Sequence, residues 1–509
     1  MALAKIYTGA IVGLDPILIT VEINVVNKGF PSFDIVGLPS KEVDESKLRI
    51  KSAIINSKYT FPDHKIIVNL APASIPKQGS LYDLPIAIGI LKATDQITGE
   101  LEHKIFMGEL SLYGEIKKIT GTAILADLCK KKKFHYLYVP NKNKKELGNI
   151  KNAHIKPFKS LVEIIEHLEG IKIKSHFIPK ILNKEPKYEV LLEDIQEQEH
   201  AKRALIIAAA GNHNIALTGP PGTGKSMIAK ALQSILPNLH DGEIDEVTRI
   251  KSIIGNIDSN NRIRPFRSPH HTISKVGLIG GGSKIRPGEI SLSHRGILFM
   301  DEFNEFPRSV IEALRQPLED RKVVISRAAG SVVFPASFSL VVANNPCPCG
   351  YLNSSIRECT CTSNDIRRYQ KRVSGPIWDR IDLFVTMKEF KVSKIKISKK
   401  EDKNYGNTTK RYKDLITKSR DIQKERYKKE YYKTNGEQGN KSILKYINIS
   451  KEAKETLDTS LDGLNISPRG YFRILKVART IADLRGKGEV GENEIVEAMS
   501  YRNNKDNQI

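Results

Sequence analysis

Apolar positions in the second half of the chain form short continuous runs, the pattern of strands that are buried on both faces of a parallel sheet. Such runs occupy residues 214–217, 297–300 and 339–343. The segment before the first run has helical spacing instead, with small or apolar residues at Ala201, Ala204, Leu205 and Ala208. Buried strands that alternate with helices predict an α/β fold for this region.

A glycine-rich loop joins the first run to a predicted helix, MIAKALQSIL. The loop fits G-x-x-x-x-G-K-[ST], and its residues are Gly219, Pro220, Pro221, Gly222, Thr223, Gly224, Lys225 and Ser226. Between a strand and a helix, such a loop cradles phosphates with its backbone amides. We therefore predict an ATP site in which Lys225 contacts the β- and γ-phosphates and Ser226 is a ligand of Mg²⁺. The alternative is a glycine-rich turn without a ligand, which the flanking strand and helix make weaker.

Two acidic residues follow the second apolar run, at the end of a strand where open α/β sheets bind ligands. We predict that Asp301 holds Mg²⁺ and that Glu302 polarises the water that attacks the γ-phosphate. A solvated acidic turn is the alternative, weakened by the phosphate loop upstream. The third run leads into Asn345, which we predict positions this water, and Asn344 remains open for the same role.

Two arginines are candidates for stabilising charge on the transferring phosphoryl group. Arg380 lies in the segment SGPIWDRIDL, and Arg469 lies in NISPRGYFRILKVARTIADL. Taken alone, each arginine would be interpreted as a partner in a surface salt bridge. The surrounding motifs favour the catalytic interpretation.

Four of the five cysteines fall close together as two C-x-C pairs, at Cys347, Cys349, Cys359 and Cys361. In a reducing compartment such a cluster favours a metal site over disulfides, and four thiolates suit a closed structural Zn²⁺ site. The alternative is four reduced cysteines in a loop shaped by proline and glycine. Cys129 is expected to be a small core residue.

The formal net charge of +23 favours a polyanionic partner, although a compositional bias toward lysine produces the same charge without a ligand. Residues 1–26 lack the pattern of a signal peptide, since Asp15 and Glu22 interrupt a short mixed run. No apolar stretch is long enough to span a bilayer. We therefore expect a cytoplasmic protein without a membrane partner.

These motifs together resemble the magnesium-chelatase-like AAA+ ATPases, and within them the competence protein ComM/YifB family. The resemblance includes the acidic pair, NPCPCG, SGPIWDR, the helix SPRGYFRILKVARTIADL and a long segment at residues 264–296. In the N-terminal half it includes NLAPASIPKQGSLYDLPIAIGIL and MGELSLYGEIKKITG. The implied fold is a Lon-protease-like (ribosomal protein S5 domain 2-like) α/β domain, an AAA+ P-loop core with magnesium-chelatase-type inserts, and a C-terminal helical lid.

The resemblance also implies residue roles and a function. Arg380 would be a finger that reaches the ATP of a neighbouring subunit, Arg469 a sensor acting in cis, and Asn345 the residue that positions the water. The implied protein is an ATP- and Mg²⁺-dependent ring motor, a homo-oligomer expected to be a hexamer. It would act on single-stranded or branched DNA as a helicase or branch-migration factor during natural transformation. The alternatives are the motor subunit of a metal chelatase and a protein-remodelling ATPase.

The N-terminal half departs from true Lon proteases at the residues that carry proteolysis. Leu81 stands where their nucleophilic serine would be, and residues 120–126 offer no lysine as its base. Ser80 is a displaced candidate, but turn chemistry beside Gly79 explains it more simply. We therefore expect no protease activity.

Composition and resemblance predict five segments along the chain. These are a Lon-protease-like domain without a catalytic dyad (residues 1–172), a linker (173–190), the ATPase core (191–390), a lysine- and tyrosine-rich insert (391–445) and the helical lid (446–509).

Three regions outside the ATP motifs carry further expectations. The insert is either a solvated charged arm or a grip for single strands, in which lysines alternate with Tyr405, Tyr412, Tyr427, Tyr431 and Tyr432. Arg264, Arg267 and the pair His270 and His271 are expected to contact nucleic acid or a neighbouring subunit. Residues 321–335 are predicted to form a hairpin that faces a central channel, with Arg327 near its turn.

Overall fold

The structure, a computed structural model, forms two compact units. It describes residues 2–26, 29–130, 134–147, 154–173, 177, 187–255, 262–282, 284–327, 330–355, 357–389, 406–464 and 467–502. The first unit contains residues 1–184 and 240–261, and the second contains residues 185–239 and 262–509.

The strands of the described residues are β1 (Ala2–Val12), β2 (Asp15–Val26), β3 (Ser32–Val36), β4 (Lys65–Ala71), β5 (Lys104–Phe106), β6 (Glu109–Leu110), β7 (Ile116–Lys117), β8 (Tyr136–Pro140), β9 (His154–Phe158), β10 (Ile215–Thr218), β11 (Phe266–Arg267), β12 (Gly280–Gly281), β13 (Arg286–Pro287), β14 (Ile297–Met300), β15 (Lys322–Arg327), β16 (Gly330–Pro335), β17 (Ser339–Asn344) and β18 (Leu383–Thr386).

The helices are α1 (Lys41–Asp44), α2 (Ser46–Asn56), α3 (Asp83–Ala93), α4 (Thr122–Leu125), α5 (Leu161–Leu168), α6 (Glu199–Gly211), α7 (Lys225–Ile235), α8 (Asp241–Ile254), α9 (Lys275–Ile279), α10 (Glu289–Leu292), α11 (Arg308–Glu312), α12 (Arg315–Asp320), α13 (Ser363–Gln370), α14 (Gly375–Trp378), α15 (Asn407–Arg426), α16 (Asn440–Tyr446), α17 (Lys451–Leu464), α18 (Pro468–Leu484) and α19 (Glu492–Ser500).

The first unit is built on a mixed seven-stranded sheet in the order β3-β4-β2-β1-β5-β8-β9. Strands β1 and β2 form a long antiparallel hairpin, in which Ile6 pairs with Val21, and both side chains are fully buried. Helix α3 packs against this hairpin and is buried along almost its whole length, since its sequence is nearly all apolar. Burial on all sides explains why α3 lacks a polar face.

Helix α8 belongs to the first unit, although it follows the helix of the phosphate loop in sequence. The backbone NH of Gly121 donates to the carbonyl of Ser252 at 2.9 Å, and Arg249 contacts the carboxylate of Asp127 at 2.7 Å. The Lys118 amine also donates to the carbonyl of Gly255 at the end of α8, at 2.8 Å. These bonds attach a segment from the middle of the chain to the N-terminal half.

The second unit contains a parallel sheet in the order β11-β14-β17-β10-β18. Every residue of β14 and β17 is buried, as the continuous apolar runs predict. The predicted parallel α/β arrangement is therefore confirmed. Strand β17 lies between the strand that precedes the phosphate loop and the strand that precedes the acidic pair.

The predicted hairpin at residues 321–335 is also confirmed. Strands β15 and β16 pair antiparallel, from Lys322 with Pro335 to Arg327 with Gly330. The predicted turn residues Ala328 and Ala329 lie outside the described residues, and so does the side chain of Arg327. The position of this hairpin in a central channel stays a prediction.

The expectation of a solvated arm in the lysine-rich segment is wrong for helix α15, which packs against α6, α7 and α18. Arg420 and Gln423 of α15 donate hydrogen bonds to the carbonyls of Ala209 and Ala210, which lie at the C-terminal end of α6. Free carbonyls at a helix end need such donors, so polar residues attach α15 to the unit.

Two of the tyrosines proposed to stack on bases have other surroundings. Tyr427 is fully buried, with its hydroxyl donating to Asn435 at 2.8 Å, and therefore cannot take part. Tyr432 lies against the guanidinium of Arg321. Residues 390–405, with Tyr405, lie outside the described part of the chain.

Candidate active site

The phosphate loop connects β10 to α7 at the carboxyl edge of the parallel sheet. Gly222 and Gly224 have φ angles of 77° and 86°, which glycine adopts without strain. Thr223 is buried, and its hydroxyl donates to the carbonyl of Pro220 at 2.9 Å, which holds the loop closed on itself. The loop therefore has the shape in which backbone amides and a helix N-terminus face a phosphate.

Lys225 lies in the first turn of α7 and bends back over the loop. Its amine donates to the carbonyls of Gly219 at 2.6 Å and Pro220 at 2.9 Å, and to Oδ1 of Asn345 at 3.1 Å. Burial lowers the pKa of Lys225 to about 8, although nearby Asp301 and Glu302 favour its charged form. The Lys225 amine thus connects the phosphate loop to Asn345 at the end of β17.

The two predicted magnesium ligands lie next to each other. The Ser226 hydroxyl donates to Oδ2 of Asp301 at 2.7 Å, across the gap between α7 and the end of β14. A hydroxyl and a carboxylate oxygen in one place are donors that Mg²⁺ accepts, so the residues fit the ion. Both side chains reach solvent at this point.

Glu302 follows Asp301 on a sharp turn. Its φ of 51° is in the left-handed region, which costs a side-chain-bearing residue free energy and is concentrated at functional sites. Glu302 is exposed, and its backbone NH donates to Oδ1 of Asp301 at 3.0 Å. Both carboxylates lie close enough to Lys225 to favour its charged form.

Asn344 and Asn345 have different surroundings. Asn344 is buried, and its amide lies 3.5 Å from the hydroxyl of Thr218, its register partner on β10. Asn345 is half-buried and contacts Lys225. The geometry favours Asn345 over Asn344 as the polar group that faces the phosphates.

His271 contacts the predicted catalytic glutamate, a contact that sequence reasoning missed. Its Nδ1 lies 3.5 Å from Oε2 of Glu302, and its ring lies 4.1 Å from the ring of His270. The sequence shows the adjacent pair His270 and His271, which in the structure follows strand β11 of the parallel sheet. In the structure β11 is the neighbour of β14, which brings the histidines that follow β11 close to Glu302. Their expected contact with nucleic acid or a neighbouring subunit stays a prediction.

The two arginines of the same segment are engaged within the protein. Arg264 is buried and donates to the carbonyls of Pro237 and Arg295, while Arg267 forms a two-pronged ion pair with Glu289 at 2.5 and 2.6 Å. Both guanidinium groups thus have internal acceptors, and their expected role as phosphate partners stays a prediction.

The two candidate catalytic arginines differ in exposure. The Arg380 side chain is 11% exposed and pairs with Glu319, and it also donates to the carbonyl of Pro376 at 2.7 Å. Arg469 lies in the first turn of α18 with an exposed side chain. Within the described residues no hydrogen bond joins either arginine to the phosphate loop, so both roles stay predictions.

A buried ion pair connects the segments that carry these arginines. Arg473, one helical turn after Arg469, donates to Asp382 at 2.8 Å, and Asp382 also accepts the backbone NH of Asn214 at 2.9 Å. Burial raises the pKa of Asp382, but Arg473 and His213 outweigh it and hold the pKa well below its ordinary value. Both residues lie in the quoted segments SGPIWDRIDL and NISPRGYFRILKVARTIADL, but the sequence alone did not show that the two segments meet.

The four clustered cysteines converge after β17, and their sulfur atoms lie within 4.8 Å of one another. All the cysteines are free thiols, and Cys129 is buried as expected. The predicted metal ligands are thus brought together in space.

The region where a Lon protease would have its nucleophile is closed by internal bonds. The amine of Lys77 is buried and donates to the carbonyl of Pro72, and the Ser80 hydroxyl donates to Glu109. Leu81 is buried in the core. With Leu81 at the position of the expected nucleophile and Lys77 donating to a backbone carbonyl, this region gives no support to a serine–lysine pair.

Among the helices of the described residues, none combines the length and the apolar composition that crossing a bilayer requires.

The parallel sheet with a glycine-rich loop at its carboxyl edge is the arrangement of a P-loop nucleotide-binding core. Three family descriptions match the chain: "Subunit ChlI of Mg-chelatase" over residues 21–143, "Magnesium chelatase, subunit ChlI" over residues 191–395, and "Magnesium chelatase, subunit ChlI C-terminal" over residues 406–502.

Several relatives match over nearly the full length, among them the following two. The chain is 38% identical to competence protein ComM of Haemophilus influenzae, across 99% of this chain and 98% of the relative. It is 37% identical to the uncharacterized protein YifB of Escherichia coli, across 99% and 97%. A magnesium-chelatase 38 kDa subunit of Rhodobacter capsulatus is 28% identical over 29% of this chain and 48% of that subunit. The chain therefore belongs to the magnesium-chelatase-like proteins of the ComM and YifB type, a family that suggests an AAA+ ATPase.

Proposed function

We propose that the protein is an ATP-hydrolysing ring motor that acts on DNA, as a helicase or branch-migration factor on recombination intermediates formed in natural transformation. One observation carries the hydrolysis part. Ser226 contacts Asp301 and Lys225 contacts Asn345, so the residues of three separate motifs meet at one edge of one sheet.

In this proposal each side chain acts on ATP in a distinct way. Lys225 neutralises charge on the β- and γ-phosphates, and Asn345 beside it holds the attacking water in line. Ser226 and Asp301 would hold Mg²⁺, which supplies charge neutralisation across the phosphates. Glu302 accepts the proton of the water, and its exposed position leaves space for that water.

The DNA part is supported by similarity and charge. The full-length relative in Haemophilus influenzae is named a competence protein. The formal net charge of +23 favours a polyanion, because neutralised phosphates release counterions. The finger role of Arg380 requires at least a neighbouring subunit, since a finger acts on the ATP of the next subunit, and a ring satisfies this requirement at every site.

A strand-exchange assay tests the proposal. Labelled three-stranded DNA is incubated with ATP and Mg²⁺, and the wild type is compared with Glu302→Gln and with the control Glu305→Gln. We expect ATP-dependent strand movement in the wild type and the control, and none in Glu302→Gln. ATP turnover without stimulation by DNA or movement of DNA would contradict the DNA part and leave the ATPase intact.

A chelatase motor is the second candidate, favoured by the family descriptions that match all three regions of the chain. The chain aligns with the 38 kDa chelatase subunit over only 29% of its length, which weakens this alternative. ATP-dependent insertion of Mg²⁺ into a porphyrin, on addition of the other chelatase subunits, would decide in its favour.

A further inference from the structure

The loop between β17 and α13 brings four thiols together, with their sulfur atoms all within 4.8 Å of one another. Cys347 Sγ lies 3.4 Å from Cys349 Sγ and 3.6 Å from Cys359 Sγ, and the last two are 3.5 Å apart. A tetrahedral zinc ion with bonds of about 2.3 Å places its sulfur ligands about 3.8 Å apart. The sulfur atoms are therefore near the required spacing before any ion is added.

The space between the sulfur atoms accommodates one ion. All four lie within 4.8 Å of one another, which leaves no room for the additional metal and sulfide atoms of an iron–sulfur cluster. None of the cysteines is paired in a disulfide. The backbone NH of Cys349 points to Cys361 Sγ at 3.4 Å, the kind of donor that supports a metal-bound thiolate.

Hydrogen bonds hold the backbone between the two C-x-C pairs. The NH of Gly350 donates to the carbonyl of Cys347 at 3.0 Å, and Gly350 has a φ of 85°, so a tight turn needs glycine there. Farther along, the hydroxyls of Ser354 and Ser355 donate to Glu389 at 2.5 and 2.8 Å. Ordered ligands reduce the entropy cost of binding an ion.

The same loop touches the phosphate-binding machinery. A Cβ atom added at Gly350 would lie 2.8 Å from Cδ of Pro221 in the phosphate loop, so the two loops are in direct contact. A cavity of about 610 Å³ has Gly219 and Asn345 in its wall together with Leu352 of the cysteine loop. Asn345, the partner of Lys225, stands two residues before the first cysteine.

We propose that Cys347, Cys349, Cys359 and Cys361 bind one Zn²⁺ ion, and that this ion braces the loop so that Asn345 and the phosphate loop keep their mutual position. The ion is structural, since four protein ligands leave no open coordination site for chemistry. The bracing part rests on the proposed ATP hydrolysis, whereas the metal-binding part does not.

The first test measures metal in the full-length protein. Purified wild type should contain one equivalent of zinc per chain by elemental analysis, and a mercurial that reacts with thiols should release it. Cys361→Ser, which alters a partly exposed ligand, should lose the zinc, while Cys129→Ala outside the cluster should keep it. Wild type without zinc, or with iron in its place, would overturn the metal site.

The second test measures bracing without relying on activity. Removing zinc should speed hydrogen–deuterium exchange in residues 345–361 and in residues 219–226, and re-adding zinc should restore protection in wild type but not in Cys361→Ser. Faster exchange in residues 345–361 alone would overturn the link to the phosphate loop while leaving the metal site in place.

A third measurement separates this proposal from the ATPase proposal. Loss of zinc should lower kcat about 10-fold, because Asn345 acts on the water, and should also weaken ATP binding, because the phosphate loop loosens. An unchanged kcat in an active enzyme would overturn the bracing. A wild type that binds zinc but hydrolyses no ATP would overturn the ATPase proposal and leave the zinc site standing.

Discussion

Each of the two units contains a lysine, a serine and an aspartate near a glycine-containing turn, and only the second unit leaves all three side chains partly exposed. In the first unit, Lys77 donates to a backbone carbonyl, Ser80 donates to Glu109, and Asp83 accepts two bonds from Arg49 at 2.8 and 3.2 Å. Lys77 and Asp83 have no exposed surface.

In the second unit, Lys225, Ser226 and Asp301 retain solvent exposure at the edge of the sheet. Lys225 donates to loop carbonyls, and Ser226 donates to Asp301. A phosphate bound by Lys225, or a cation bound by Ser226 and Asp301, would replace these bonds with stronger, charge-assisted ones. A lysine, a serine and an aspartate therefore form a candidate site only where the fold leaves their polar atoms facing solvent.

The largest expected effect is that of removing the cation of the phosphate loop. Lys225→Ala should weaken ATP binding and lower kcat/KM for hydrolysis by about 1000-fold, since no other lysine or arginine donates to this loop in the described residues. Steady-state hydrolysis and binding of a fluorescent ATP analogue measure it.

The matched change in the first unit is Lys77→Ala. It should leave kcat/KM unchanged and lower the thermal stability of the first unit, because the carbonyl of Pro72 loses its donor. Comparable losses of hydrolysis in both variants would break the contrast between the two units.

The next largest effect concerns Arg380. Arg380→Ala should bind ATP normally and lose hydrolysis by about 100-fold or more, because a finger stabilises charge only in the transition state. Mixing it with Lys225→Ala should restore part of the activity, since a Lys225→Ala subunit can supply its arginine to an intact neighbouring site. No recovery in the mixture would count against a finger acting between subunits.

A smaller effect is expected at His271. His271→Ala should reduce kcat by about 10-fold with little change in KM, because the imidazole lies 3.5 Å from Oε2 of Glu302 and helps to orient it. His270→Ala is the control and should change kcat less. Equal effects of the two substitutions would indicate that the loop, and not the contact with Glu302, is responsible.

The smallest expected effect is a pH dependence of stability that arises from Asp83, a buried carboxylate in the first unit. Burial raises the pKa of Asp83 to about 6, although Arg49 opposes the shift. The folded-state pKa lies above the unfolded-state value near 4, so the folded protein binds this proton more tightly. The resulting stabilisation is fully present below pH 4 and is lost as the pH rises through 6. Between pH 5 and 7.5 the wild type should lose about 1 kcal/mol relative to Asp83→Asn.

Native-state hydrogen exchange in residues 105–115 measures this difference, since the NH of Leu110 donates to Asp83. The exposed Asp44→Asn should show the pH dependence of the wild type. An identical pH dependence in Asp83→Asn would mean that the carboxyl is not perturbed in the folded state.

Local patterns predicted the strands and loops that carry the candidate site. The runs at residues 297–300 and 339–343 are fully buried parallel strands because both faces of each strand are covered. Strand ends in a parallel sheet meet at one edge, so the motifs could be placed together without knowing the strand order.

What the sequence could not predict depends on contacts between distant residues. Helix α8 has an ordinary amphipathic pattern, which does not reveal that its partner surface lies in the first unit. Helix α15 is polar in composition, yet Arg420 and Gln423 attach it to α6 through main-chain carbonyls. The contact between His271 and Glu302 required the order of the strands.

The most direct test of the proposed hydrolysis site compares two glutamates, Glu302 next to Asp301 in the second unit and Glu109 beside Ser80 in the first unit. ATP binding and steady-state hydrolysis are measured for wild type, Glu302→Gln and Glu109→Gln, all as full-length protein. We predict that Glu302→Gln binds ATP normally but loses at least about 100-fold in kcat, while Glu109→Gln retains wild-type kcat. Normal turnover by Glu302→Gln would contradict the assignment of the hydrolysis site to the second unit.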